Sequence, residues 1–69
     1  MSDYRVCQIS VSQQAVVKNV KFDNKEDAEH YAKNQSVLDD EHRYEVQKNH
    51  QGVFSAIKSY LQGQEVKST

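Results

Sequence analysis

The sequence predicts a small α+β domain: an antiparallel sheet of two hairpins flanking one amphipathic helix, in the order β-β-α-β-β. Three observations predict it. Residues 4–11 and 43–48 alternate apolar and polar side chains, the period of a half-buried strand. Residues 24–38 switch to a three-to-four spacing of apolar side chains behind a capping residue. Gly52, one of only 2 glycines in the chain, closes a polar tetrapeptide between two apolar segments.

The first strand rests on Cys7, Ile9 and Val11, which alternate within Tyr4–Val11. Ser12–Gln14 is a polar break, and Ala15–Phe22 is β-branched with Val16, Val20 and Phe22 on one parity. Two such runs joined by a short polar break form a hairpin. Asp23 or Asn24 then offers a side-chain oxygen to a free backbone N–H, and Asp23 with Glu26 fits the wider capping-box spacing. Behind this cap, Ala28, Tyr31, Ala32, Gln35 and Leu38 define an apolar stripe over roughly 24–38. The small Ala28 and Ala32 allow close packing on a sheet, while Glu26, Asp27 and Glu29 fall off the stripe.

Asp39–His42 is a polar connection and Arg43–Lys48 a third strand. Asn49-His50-Gln51-Gly52 has the residue types of a type I turn closed by a left-handed glycine with a bulge. That turn predicts a fourth strand from Val53 to about Tyr60. Val53, Phe54, Ile57, Tyr60 and Leu61 also fit one helical face, so β-β-α-β-α is the alternative order. Residues 1–62 form the domain, and the polar run 63–69 reads as a flexible tail.

Size limits the core. A chain of 69 residues with 36% hydrophobic side chains, no Trp and a single Cys has neither disulfide nor large apolar mass to stabilise it. Stability of about 3–8 kcal/mol is expected from the usual per-residue range. No apolar run exceeds three residues, which excludes a membrane-spanning helix. The first 20 residues hold no signal-peptide core, so a cytoplasmic location is expected. The net charge of −1 argues against a strong non-specific nucleic-acid or membrane binder. Charge is nevertheless segregated: residues 23–45 carry eight acids against Lys25, Lys33 and Arg43, whereas the flanking segments are mildly basic.

Catalysis has no positive support. Cys7 alternates with Ile9 and Val11 as a small core residue does, with no local signature of a nucleophile. His30, His42 and His50 lack the paired spacing of a zinc site, even with Cys7 or with Asp27 three residues before His30. Asp39, Asp40 and Glu41 lack the alternation and glycine of a calcium loop and read as a solvated linker. No metal and no cofactor is expected, and no phosphate loop or nucleophile elbow occurs.

The strands, in contrast, carry apolar residues on both parities, while one helix covers one face. The uncovered face of the first hairpin holds either Tyr4, Val6, Ala15 and Val17 or their opposites. An apolar sheet face left in water marks an interface. The expected function is therefore a non-enzymatic interaction module that binds a protein partner or itself, as a homodimer, through its sheet. The alternative is a single-stranded nucleic-acid binder using Tyr44 and Phe54, with Tyr4 or Tyr60, for stacking and Arg5, Lys18, Lys48 and Lys58 for phosphate.

Overall fold

The computed structural model describes residues 3–66. It is an α+β fold with strands β1 (Tyr4–Ser10), β2 (Val16–Phe22), β3 (His42–His50), β4 (Val53–Leu61) and β5 (Gln64–Val66), and one helix, α1 (Lys25–Val37), between β2 and β3. All strand pairs are antiparallel, in the order β2-β1-β3-β4-β5. β1 and β3, adjacent at the centre, are separated in sequence by β2 and α1. The helix is thus the crossover that brings β3 alongside β1 and covers one sheet face.

The helix begins where the sequence places it. Asn24 is the cap: its backbone is extended and its Oδ1 accepts from the Asp27 N–H at 2.9 Å. Its Nδ2 donates in return to the Asp27 carboxylate at 3.0 Å. The reciprocal pair is therefore Asn24 with Asp27, not Asp23 with Glu26. At the other end the last turn tightens, with the Leu38 N–H reaching the Gln35 carbonyl at 3.2 Å. Leu38 leaves the buried stripe and is 84% exposed. Ser36, a polar residue absent from the predicted stripe, takes its place: Ala28, Ala32 and Ser36 are fully buried at four-residue steps.

Beneath this stripe lie Val6, Tyr44, Val46 and Tyr60, with Tyr4, Phe22 and Tyr31 packed around them. The Phe22 and Tyr31 rings meet at 5.2 Å, tilted by 49°. Burial of each such side chain contributes about 1.5–3 kcal/mol, which is how so few of them hold the domain together.

The strand β4 is extended, so the helical alternative for residues 53–62 is overturned. Its turn also differs from expectation. Gln51 and Gly52 have φ of 55° and 87° between the paired residues His50 and Val53. Two positive values in a two-residue loop give a type I′ turn, whose twist matches the twist of the strands, and no G1 bulge is needed. Asn49 Oδ1 accepts from the Gly52 N–H at 2.9 Å and steadies the turn.

The same turn recurs where a tail was expected. Gln62 and Gly63 have φ of 53° and 78° between the paired residues Leu61 and Gln64, and the chain returns as β5. The predicted tail over 63–69 is therefore ordered through Val66, and its last three residues lie outside the described range. This second turn is anchored: the Gly63 N–H donates to the buried Ser36 Oγ at 3.0 Å, and that hydroxyl donates to the Lys33 carbonyl at 2.7 Å.

The two glycines differ in one respect that a mutation can read. A Cβ on Gly52 would meet nothing within 4 Å, whereas one on Gly63 would stand 2.7 Å from Val37 Cγ2. Gly52→Ala is expected to cost about 1 kcal/mol, the backbone penalty alone. Gly63→Ala is expected to cost clearly more, because the turn must also back away from the helix. Urea unfolding of the two variants checks the order.

Candidate docking face

The face opposite α1 is built by alternation. Strand register places Lys21, Arg5, Gln47 and Ala56 in one row across it, and Asn19, Cys7, Glu45, Ser59 and Val66 in the next. Two register shifts modify the pattern. One, between Gln8 and Ile9, lets Val16 pair with Ile9 although Val20 pairs with Val6. Val16 thus lies on the open face while Val20 and Phe22 lie on the helix side, which splits the single parity read from the sequence. The other, between Val46 and Gln47, leaves Ile57 between Ala56 and Lys58 without an opposite residue.

A hydrogen-bond ladder crosses the centre of this face. Arg5 Nε donates to Gln47 Oε1 at 2.6 Å, and Gln47 Nε2 donates to Glu45 Oε1 at 2.7 Å. Arg43 Nη1 donates to Glu45 Oε2 at 2.8 Å and to Ser59 Oγ at 2.9 Å. The Arg5 guanidinium also lies over the Phe54 ring, 4.0 Å from its centroid. Cys7, next to this ladder, is 2% exposed, and burial pushes its thiol pKa up against the opposing pull of Arg5. Around the ladder stand apolar side chains in water: Val16, Val17, Ile57 and Val66 are each at least 40% exposed. Arg43, Glu45, Ala56, Ile57, Ser59 and Val66 contribute to a shallow groove on the β4–β5 side.

The residues expected at the partner surface are divided. Tyr4 and Val6 face the helix; Val6 is 1% exposed and belongs to the core. Ala15 and Val17 are exposed, Val17 on the bulged start of β2. Of the opposite set, Cys7 and Ile9 lie on the open face. Val11 leaves the strand, and its N–H bonds to the Glu41 carbonyl at 3.0 Å. The nucleic-acid set does not assemble either. Arg5 and Phe54 share the open face, but Lys18, Lys48 and Lys58 lie in helix-side rows. Tyr44 is 3% exposed beneath the helix and presents no ring to a base. The sequence reading missed Arg43, Glu45 and Gln47 as a set, although their two-residue spacing already put them on one face of β3.

The connection from α1 to β3 is less solvated than expected. Asp39 Oδ2 accepts from the Tyr44 hydroxyl at 2.8 Å and from Gln8 Nε2 at 3.3 Å, and lies 2.8 Å from His42 Nδ1. Its Oδ1 accepts from the Glu41 N–H at 3.0 Å. Asp40 and Glu41 are exposed, as a solvated linker would be. His30 and His50 are exposed too, and among the described residues no three His, Cys, Asp or Glu side chains converge as metal ligands. No described helix is long and apolar enough to cross a membrane. Compared with known proteins, the chain matches no family model, no curated sequence and no solved structure.

The Asp39–Tyr44 contact makes stability pH-dependent at both ends. Burial raises the Asp39 pKa, but hydrogen bonds from Tyr44, the Glu41 N–H and His42 outweigh it and hold the carboxyl below its ordinary value. A depressed carboxyl pKa contributes stability that is present above the unfolded value and lost as pH falls through the folded one. Burial, then the bond to Asp39, pushes Tyr44 from 10.0 up to about 12. That contribution is present below the unfolded value of 10.0 and lost as pH rises towards about 12. Burial raises Tyr60 as well, so near-ultraviolet titration is expected to show a late tyrosinate phase that Tyr44→Phe reduces without abolishing. The same variant should also flatten the acid limb of the melting-temperature profile.

Proposed function

We propose that the protein is a small non-enzymatic interaction module that docks onto another protein through the open face of its sheet. The single observation that carries this reading is the one-sided cover. One helix buries one face, and the other face offers Val16, Val17, Ile57 and Val66 to water beside a pre-arranged polar ladder. Exposed apolar side chains gathered on one face mark a surface that a partner can cover.

The sheet edges are poorer binding elements. β2, one edge, carries Lys18 and Lys21 and a bulge; β4, near the other, carries Lys58 and a bulge and is partly covered by β5. Lysines and bulges blunt edge-to-edge pairing. The face is left as the surface able to bury area. A nucleic acid is disfavoured because the residues it would need are split: Arg5 and Phe54 share the open face, whereas Lys18, Lys48, Lys58 and the buried Tyr44 lie in helix-side rows.

Amide chemical shifts during titration with a pool of unrelated peptides test the reading. Signals of Val17, Ile57 and Val66 are expected to move while those of His30 and Asn34 on the helix stay still. Ile57→Asp, at an exposed position, should abolish these shifts and leave the melting temperature almost unchanged. Shifts confined to the helix would reject the face.

A further inference from the structure

The open face does not share the acidity of the chain. It carries Arg5, Lys21 and Arg43 against Glu45, and Asp3, whose carbonyl accepts from the Asn49 N–H, continues the same parity, which leaves an excess of one positive charge on a molecule whose net charge is −1. The acids of α1 and the loop after it, Glu26, Asp27, Glu29, Asp39, Asp40 and Glu41, stand on the other side with Lys25 and Lys33 of the helix and with Lys18, Lys48 and Lys58 of the helix-side rows.

Within that face the two arginines differ. Arg43 is neutralised by Glu45 at 2.8 Å. Arg5 makes no ion pair among the described residues, yet it is the more tightly arranged of the two. Phe54 supports its guanidinium plane from one side at 4.0 Å, and Gln47, itself held by Glu45, fixes its Nε at 2.6 Å. Lys21, directly opposite Arg5 in the β1–β2 register, is exposed. A guanidinium held in place with no carboxylate on it is a preorganised donor for a carboxylate, because the ordering cost has been met before the ligand arrives.

We infer that the docking face takes an acidic segment of a partner protein, whose Asp or Glu carboxylate seats on Arg5 with Lys21 beside it while its apolar side chains cover Val16, Val17 and Ile57. This rests on the docking reading above. Charge complementarity selects the occupant. A second copy docking face to face would set Arg5, Lys21 and Arg43 against their own like charges. A single-stranded nucleic acid would need a ring to stack on, and the Arg5 guanidinium already covers one side of Phe54.

A displayed library of random peptides, selected on the folded protein at low salt, tests the inference. Selected peptides are expected to be rich in Asp and Glu interleaved with apolar residues. Arg5→Gln should weaken them roughly tenfold or more, as the loss of a charged hydrogen-bond pair does. Lys33→Gln, which removes an exposed charge from the helix, should change them little, and Ile57→Asp should abolish them. Melting curves of each variant confirm that the fold is retained. Apolar peptides without acidic enrichment that are lost in Ile57→Asp would overturn the acidic partner and leave the docking face standing. Peptides indifferent to both Arg5→Gln and Ile57→Asp, or none selected at all, would overturn both. An oligothymidylate that binds more tightly than the selected peptides would overturn the protein partner in favour of phosphate. A dimer in sedimentation equilibrium that is broken by Ile57→Asp and strengthened by added salt would replace the acidic segment with a second copy.

Discussion

Everything in this fold depends on how closely one helix can approach the sheet. Ala28, Ala32 and Ser36 bring almost no bulk to the contact, so α1 sits directly over Val6, Tyr44, Val46 and Tyr60. Two tyrosines then fill space that larger helix side chains would otherwise take. Each must satisfy its hydroxyl or leave it at the margin. Tyr44 does so through Asp39 and Gln8 at the point where the chain leaves the helix. Ser36 does the equivalent at the far turn, by accepting the Gly63 N–H. Lys58 completes the seam with a 3.3 Å ion pair to Glu29, a half-buried carboxylate without a well-aligned hydrogen bond.

This arrangement also explains why the other face is as it is. A chain this short has residues for a single cover helix, and β3 has to cross the sheet beneath it. Val46 and Tyr44 serve the core, so the intervening Arg43, Glu45 and Gln47 necessarily meet water. They satisfy one another along the ladder, in register with Cys7 and Ile9, which stay buried on a face that no described helix covers. The polar strip is thus a local substitute for a second layer.

Much of the fold was legible because alternation and capping are local. The strand periods, the Asn24 cap and the Ala28–Ala32 stripe follow from neighbouring residues alone. Parity across β2 was not legible, since a bulge shifts the side on which Val16 falls and nothing in Val16–Phe22 announces it. Leu38 read as core because periodicity carries no information about where a last helical turn tightens. The fifth strand was missed although its signal was present: Gln62-Gly63 repeats the dipeptide of the Gln51-Gly52 turn eleven positions later. The candidate face was half legible. That one face stays uncovered follows from counting elements, but which residues line it depends on register, and register belongs to strand pairs rather than to single strands.

The central position of Cys7 has a practical consequence. It is the only thiol in the chain, and it is buried beside Arg5 and Glu45. An alkylating reagent therefore reaches it when the Arg5–Gln47–Glu45 arms part or the sheet opens, and the labelling rate counts those openings. Any occupant of the face would hold the arms down and slow the reaction. The molecule carries its own chemical clock for occupancy, one that runs without a tag and whatever the occupant is.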